Sequence, residues 1–207
     1  MRLLDNKLKL DAIVMCSGGV DSIAGAHILL KKYGIHKLYY FNHKTPQADA
    51  MQQAVQAFAD KFGMELIVRV ADKEYKSEKE FRISRFKFIE ESKNKTFVAC
   101  HHLNDAVESY LQRCFTGCPE YLPIPLETQF GSNVLLHPFL LVEKTRLQTH
   151  ARVNDLNQYV VEDVTNFDPN YSRRAWLRNE LIPILNEKKL GLTKIVRKRI
   201  LEKLNEG

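Results

Sequence analysis

The feature that most constrains this sequence is a short apolar run that a glycine-rich turn interrupts and a helix-forming segment follows. Residues 12–16 have the length and composition of a buried strand, and residues 23–32 those of a helix that Gly34 ends. The turn between them is Ser17-Gly18-Gly19-Val20-Asp21-Ser22. A glycine turn at a helix N-terminus brings free backbone N–H groups and the positive end of the helix dipole to one point. The sequence therefore predicts an anion site here, with glycines that let the backbone approach a ligand closely.

Three side chains of this turn add to what its backbone can bind. Ser17 and Ser22 supply hydroxyl donors. The carboxylate of Asp21 is a poor phosphate ligand and a good magnesium ligand, because hard cations prefer carboxylate oxygens. A plain strand–turn–helix with polar residues is the simpler interpretation, but a plain turn does not need two serines and an aspartate beside two glycines.

The turn matches neither Gly-x-x-x-x-Gly-Lys-Ser/Thr nor Gly-x-Gly-x-x-Gly, the two common phosphate-binding patterns. It resembles the pyrophosphate loop (PP-loop) of the N-type ATP pyrophosphatases, which split ATP into AMP and pyrophosphate to adenylate a substrate. The resemblance implies that residues 17–22 bind ATP, and that Asp21 holds Mg²⁺ and acts in catalysis. It also implies the adenine nucleotide alpha-hydrolase-like fold of that superfamily.

Strand-like and helix-like segments alternate along the first half of the chain. Strands are predicted at residues 12–16, 37–43, 65–70 and 96–100, and helices at 23–32, 48–62, 76–92 and 103–114. This alternation, without tight hairpins, predicts an α/β fold with a Rossmann-like parallel sheet and helices on both faces. Ligands of such sheets bind beyond the carboxyl ends of the strands. That rule brings Asn42 and His101 to the same edge as the turn, and we predict that both contact the nucleotide.

The second half of the chain has a less regular pattern. A loop is predicted at residues 121–131, an extended segment at 133–142, a helix at 143–156, a short strand at 159–162 and a basic helix at 173–186. From residue 188 onward the chain is predicted to form a charged amphipathic helix. We expect a PP-loop ATP-binding catalytic domain at 1–186 and a basic helical tail at 187–207.

Further motifs narrow the resemblance to one family. The segment His101-His102-Leu103-Asn104-Asp105-x-x-Glu108 resembles the His-His-Leu-Asp-Asp-x-x-Glu motif of the tRNA(Ile)-lysidine synthetases. Four more segments match motifs of that family in the same order: Glu78-x-x-x-Arg82-x-x-Arg85-Phe86, His137-Pro138-Phe139-Leu140, Glu162-Asp163-Val164-Thr165-Asn166-Phe167-Asp168 and Arg174-Ala175-Trp176-Leu177-Arg178. These enzymes adenylate the wobble cytidine of an isoleucine tRNA anticodon, lysine attacks the activated carbon, and AMP leaves. The resemblance implies ATP and Mg²⁺ as cofactors, lysine as a substrate and tRNA as a partner.

The resemblance also implies roles for six residues outside the turn. Asp105 and Glu108 would act in catalysis and recognise the ammonium group of lysine. Independently, two carboxylates three positions apart share one helix face and suit a cationic substrate, although acids near a helix N-terminus also have a purely structural explanation. Four arginines would neutralise phosphate or developing negative charge: Arg82 and Arg174 in catalysis, Arg85 and Arg178 in substrate binding.

Three positions depart from the family pattern, and the chain is short. Asn104 replaces the first of the paired aspartates, His137 replaces an arginine and Ala175 replaces an asparagine. The usual C-terminal tRNA-binding domains are not recognisable. The basic tail is expected either to contact tRNA phosphates in their place or to pack its leucines on the body of the protein.

Composition leaves few other classes open. The chain has 207 residues and a net charge of +6, which favours a polyanionic partner. No apolar run approaches membrane-spanning length, and the N-terminus lacks a signal-peptide pattern, so a cytoplasmic protein with reduced cysteines is expected. Two alternatives remain: a PP-loop enzyme with another nucleophile, such as a tRNA thiolase, and a nucleotide- or tRNA-binding module without turnover. The acid pair and the lack of a C-x-x-C motif argue against sulfur, and the oligomeric state, a homodimer included, stays open.

Overall fold

The structure is a computed structural model that describes residues 3–4, 7–73, 78–118, 124–162, 168–170 and 172–205. At positions 78, 79, 81, 82 and 85 only the backbone is described. The predicted roles of Arg82 and Arg85 therefore lie outside the described side chains, as does most of the motif at residues 162–168.

A six-stranded sheet forms the centre of the molecule. Its strands are β1 (Ile13–Met15), β2 (Lys37–Asn42), β3 (Glu65–Val70), β4 (Thr96–Ala99), β5 (Glu127–Phe130) and β6 (Asn133–Leu136). They lie in the order β3-β2-β1-β4-β6-β5, and every neighbouring pair is parallel except β5 and β6. The predicted α/β fold with a parallel sheet is confirmed.

The antiparallel pair β5–β6 corrects the prediction of a loop throughout 121–131. Gly131 has a φ of 57° and, with Ser132, connects the two strands. Such two-residue connections favour positive φ, which glycine adopts without a steric penalty. The sequence of β5, Glu-Thr-Gln-Phe, has no apolar run that would predict a strand. Its residues are mostly polar because this edge strand is only partly buried.

Helices flank the strands along the chain. They are α1 (Val20–Tyr33), α2 (Ala48–Phe62), α3 (Glu78–Glu91), α4 (Leu103–Phe115), α5 (Lys144–Val153), α6 (Arg173–Trp176), α7 (Ile182–Glu187) and α8 (Leu192–Asn205). Two predictions were wrong in detail. The described residues at 159–162 are not a strand, because a 3-10 turn spans Leu156–Tyr159, and the basic helix at 173–186 is interrupted by a π-helical turn at Leu177–Leu181.

Both faces of the sheet are covered, as predicted. In β1, Val14 belongs to the apolar cluster under α1, α2 and α5, whereas Ile13 belongs to the cluster under α3. In β4, Val98 belongs to the first of these clusters and Phe97 to the second. This division follows from the period of two along a strand, which sends successive side chains to opposite faces.

Close packing of α1 on the sheet requires one glycine. A Cβ at Gly25 would overlap the Sγ of Cys100 and lie 3.1 Å from its Cβ. The absence of a side chain at Gly25 therefore lets α1, and with it the turn at its start, sit directly over the end of β4.

The last helix packs on the body of the protein. Val196 and Ile200 of α8 share a buried cluster with Leu103 and Val107 of α4. The tail thus packs its apolar residues as one of the two expectations had it, while tRNA binding by its cations and a domain boundary at residue 186 stay predictions. Among the described residues, no helix is both long enough and apolar enough to cross a bilayer.

Candidate active site

The turn at residues 17–22 is held in shape by one side chain. The Ser22 hydroxyl accepts a hydrogen bond from the backbone N–H of Ser17 at 3.1 Å and donates to the Gly19 carbonyl at 2.9 Å. Gly18 has a φ of 84°, and its carbonyl accepts from the N–H of Val161 at 3.0 Å. The N-cap residue of α1 is Gly19, which has no side chain with which to cap the helix. The first N–H groups of a helix have no intrahelical partner, so this turn fits an anion.

Asp21 lies at the centre of the charged groups beside the turn. Its Oδ2 is 3.3 Å from Nε2 of His102 and 3.7 Å from Nζ of Lys144. Its Oδ1 is buried and has no hydrogen-bond partner within the part of the chain that the structure describes. An unsatisfied buried carboxylate oxygen is costly unless a ligand pairs with it, and Mg²⁺ takes such oxygens together with phosphate and water. Asp21 therefore fits the predicted metal role.

His102 connects Asp21 to the carboxylate of Asp105. In its neutral form, Nδ1 of His102 accepts from the N–H of Asp105 at 3.3 Å, and the N–H of His102 donates to Oδ2 of Asp105 at 2.9 Å, which caps α4. In its protonated form both ring nitrogens have a carboxylate oxygen at 3.3 Å. Burial works to lower the pKa of His102, but the two carboxylates together raise it. Burial likewise works to raise the pKa of Asp105, but His102 and its other cationic neighbours hold that pKa below its ordinary value.

Glu108 is almost fully buried and is already paired with arginine. Arg178 donates to it in a bidentate manner, from Nε at 2.7 Å and Nη2 at 2.9 Å, and this pairing raises the pKa of Arg178. Arg174 is held more loosely, with Nε 3.5 Å from Glu108 and Nη2 3.6 Å from Asp105. The Nε of Arg174 is buried and makes no hydrogen bond to the described residues. Of the two arginines, Arg174 is thus the one that a substrate anion can capture at the lower cost.

The arginines reach this position from α6 and the π-helical turn after it. The Ser172 hydroxyl caps α6 by accepting from the N–H of Ala175 at 3.1 Å. Ala175, which replaces the family's asparagine, is buried, and its carbonyl accepts from the Asn179 amide at 2.9 Å. A π-helical turn often marks a functional site because it displaces side chains from regular helical positions.

Asn42 and His101 lie at the ends of their strands as predicted, but Asn42 has partners within the chain. Its amide nitrogen donates to Asp49 and to Gln52, both at 2.9 Å, and its oxygen accepts from the N–H of Lys44 at 2.8 Å. Asn42 thus joins the end of β2 to α2. The nucleotide contact predicted for it stays a prediction, as does that of His101.

Sequence reasoning gave no site role to three residues that lie here: His102, His137 and Lys144. The ring of His137, at the end of β6, lies 5.1 Å from that of His101, centroid to centroid. Lys144 fell within a predicted helix, but its place at the start of that helix could have drawn attention to it. A lysine at the first position of a helix interacts unfavourably with the helix dipole. Its presence there therefore indicates a role other than stabilising the helix.

The cysteines have no comparable arrangement. Burial raises the pKa of Cys16 to about 11 and that of Cys100 well above its ordinary value, so both are neutral thiols at physiological pH. Cys114, in the last turn of α4, and Cys118, just after that helix, form no disulfide. Among the described residues, no three His, Cys, Asp or Glu side chains form a group that could hold a metal ion.

Comparison with known proteins agrees with the geometry. The chain is 30% identical over 188 residues to the tRNA(Ile)-lysidine synthase of Buchnera aphidicola, a match that covers 85% of this chain and 42% of the relative. It is 27% identical over 192 residues to the enzyme of the same name from Persephonella marina, covering 83% of this chain and 40% of the relative. The chain therefore spans about two fifths of the length of these curated relatives. The resemblance to the lysidine synthetases is confirmed.

The fold also has a counterpart among solved structures. The U34-tRNA thiolase NcsA of Methanococcus maripaludis, solved with its 4Fe-4S cluster, superposes with a TM-score of 0.68 at 16% identity, covering 94% of this chain and 71% of that one. The family model of the PP-loop domain matches residues 1–185, which include the turn, the carboxylates of α4 and both arginines. The match to this family model, together with the order of the strands and the geometry of the turn at residues 17–22, shows that the chain belongs to the PP-loop domain family.

Proposed function

We propose that this chain is the catalytic domain of an ATP-dependent tRNA-modifying ligase that adenylates the wobble cytidine of an isoleucine tRNA and joins lysine to it. The observation that carries the proposal is the row of charges Asp21–His102–Asp105, which links the anion-binding turn to the carboxylates and arginines of a second subsite. A nucleotide-binding turn alone does not need the second subsite. The names of the relatives support the reaction and the tRNA substrate.

The first half of the reaction uses the turn and Asp21. The N–H groups at the start of α1 would bind ATP phosphates, and Asp21 would hold Mg²⁺, which neutralises charge on the departing pyrophosphate. Negative charge that develops around the α-phosphate would draw Arg174 away from its long contacts of 3.5 and 3.6 Å. Arg178 would stay on Glu108, because its bidentate hydrogen bonds at 2.7 and 2.9 Å are the stronger ones.

The second half uses the carboxylates that Arg174 leaves. Asp105 and one oxygen of Glu108 lose a cationic neighbour when that arginine turns to phosphate. A lysine ammonium group can take its place without leaving a buried charge unpaired. Binding of the ammonium group after adenylation would thus follow from charge balance in the site. The group would then lose a proton to one of these carboxylates or to water, and the resulting amine would attack the activated carbon while the bond from that carbon to AMP breaks.

The test is one incubation with Mg-ATP, radiolabelled lysine and bulk tRNA, repeated with each component left out. Label should enter tRNA only when ATP is present, with AMP and pyrophosphate as products. Asp21→Asn should lower the rate roughly 100-fold or more, the scale for loss of one strong electrostatic contact in an active site. Asp11→Asn, an exposed aspartate before β1, is the matched control and should keep the wild-type rate.

Two results would replace the proposal with the alternatives raised by the sequence. AMP formation that depends on tRNA but transfers no lysine would mean another nucleophile. An absence of ATP cleavage in every mixture, with ATP or tRNA still bound, would mean a binding module without turnover.

A further inference from the structure

Lys144 occupies a position that is unfavourable for a cation. It is the first residue of α5, and the first turn of that helix contains no acidic residue. The positive end of the helix dipole destabilises a cation there, so the helix itself gives no reason for a lysine. Its Nζ lies 3.7 Å from Oδ2 of Asp21, and its side chain is about one third exposed, at 32%. The lysine is therefore directed at the anion-binding turn and remains within reach of solvent and ligand.

The turn contains no cation of its own. Residues 17–22 include two hydroxyl groups and one carboxylate but no lysine or arginine. In the commonest phosphate-binding loops, a lysine within the loop reaches the β- and γ-phosphates. Here Lys144 can provide that charge from another element, across the carboxyl edge of the sheet.

Two contacts hold the start of α5 in place. The Oδ1 of Asn104, in α4, accepts from the backbone N–H of Lys144 at 2.9 Å. Arg197, in α8, donates from Nη1 to the Leu141 carbonyl at 3.0 Å and from Nη2 to Glu143 at 2.8 Å. Leu141 and Glu143 lie just before α5. These hydrogen bonds from α8 therefore fix the start of α5, and with it the backbone of Lys144.

We propose that Lys144 binds the phosphate oxygens of ATP at the turn of residues 17–22, and that Asn104 and Arg197 are positioning residues for it. The inference rests on the proposed use of ATP and adds the cation that the turn lacks. It also explains why asparagine is tolerated at position 104 where the family has aspartate: either side chain presents an oxygen to the N–H of Lys144. Arg197 belongs to the basic tail, for which tRNA contact was one of two expectations, and its guanidinium donates to Leu141 and Glu143 within the protein.

The direct test is the affinity for Mg-ATP by isothermal titration calorimetry with the full chain. Lys144→Met, which keeps most of the apolar stem, should bind roughly 10- to 100-fold more weakly, the range for loss of a charged hydrogen bond. Lys144→Arg should recover most of the affinity. Lys61→Met, an exposed lysine near the end of α2, is the matched control and should bind like the wild type.

The positioning residues are tested by the same measurement. Asn104→Ala should weaken Mg-ATP binding several-fold whereas Asn104→Asp should keep it, because only the alanine removes the acceptor oxygen. Arg197→Ala should also weaken it, while Arg152→Ala, an exposed arginine at the end of α5, should not. Recovery by the aspartate distinguishes positioning from a general loss of stability, which thermal melts of all variants measure separately.

The outcomes separate this inference from the function on which it rests. If the wild type binds Mg-ATP and Lys144→Met binds it equally well, Lys144 is not a phosphate ligand and the proposed function stands. If Asn104→Asp binds as weakly as Asn104→Ala, the positioning role is wrong. Failure of the wild type itself to bind Mg-ATP refutes the proposed function and this inference with it.

Discussion

Replacing His137 with glutamine should make the protein less sensitive to acid. The ring of His137 is 4% exposed, and the Pro125 carbonyl accepts its hydrogen bond. Its Nδ1 is buried without a partner among the described residues, so the bond to Pro125 comes from Nε2. Glutamine can present a nitrogen at a similar place and cannot titrate, so His137→Gln removes the proton-binding site while keeping the donor.

The size of the effect follows from the pKa. Burial, with a contribution from nearby His101, lowers the pKa of His137 from 6.5 to about 3 although Pro125 and Asp105 act in the opposite direction. In the unfolded chain this histidine binds a proton below pH 6.5, whereas in the folded protein it stays neutral until about pH 3. The unfolded state therefore gains stability as the pH falls through this window. At pH 4 the cost to the folded wild type is about 3 kcal/mol relative to pH 7.

The assay is urea unfolding of the wild type and His137→Gln at intervals from pH 7 to pH 4. Other titrating groups, including His102 with its raised pKa, contribute to both proteins and cancel in the difference. That difference should move by about 3 kcal/mol in favour of the variant as the pH falls to 4. Two profiles that stay parallel within about 1 kcal/mol would refute the conclusion that His137 is kept neutral by burial.

Two further substitutions test the packing and charge of the site. Glu108→Ala should lower the free energy of unfolding by about 1–3 kcal/mol, because Arg178 loses its bidentate partner in a partly buried position; a loss below about 1 kcal/mol in urea unfolding would mean that water replaces the pair. Gly25→Ala should destabilise the protein by about 1–3 kcal/mol through its overlap with Cys100. Combining it with Cys100→Ala should restore part of the melting temperature, and the absence of any recovery would place the strain elsewhere.

The fold was predictable where apolar runs had a clear period. The bounds predicted for α2 and β3 agree with the structure residue for residue, because each is bounded by a residue that breaks the pattern, such as Gly63. The failures came where local sequence does not decide the structure. The polar strand β5 gains its backbone hydrogen bonds only by pairing with β6, and the π-helical turn at Leu177–Leu181 cannot be seen in a pattern that still looks helical.

The positions of some site residues were predictable, although their roles stay predictions. The turn with Asp21, and the carboxylates of α4, were singled out as candidates because each set of residues lies on one short segment, where residue types and spacing form a motif. Lys144 and His137 were not, because their roles depend on which elements the fold brings together. The pairing of Glu108 with Arg178 across 70 positions of sequence also depends on which elements the fold brings together.

The packing of α8 against α4 has a consequence for how the chain becomes folded during synthesis. The sheet strands β1 to β3 and their helices emerge early and make contacts between neighbours in sequence, whereas Leu103 and Val107 wait for Val196 and Ile200 to cover them. Contacts between such distant segments form late because the long intervening chain must first be ordered. A nascent chain stopped before α8 would expose the apolar face of α4 that α8 covers, which is the kind of surface that chaperones bind. Burial of this face of α4 must therefore wait until α8 has been synthesised.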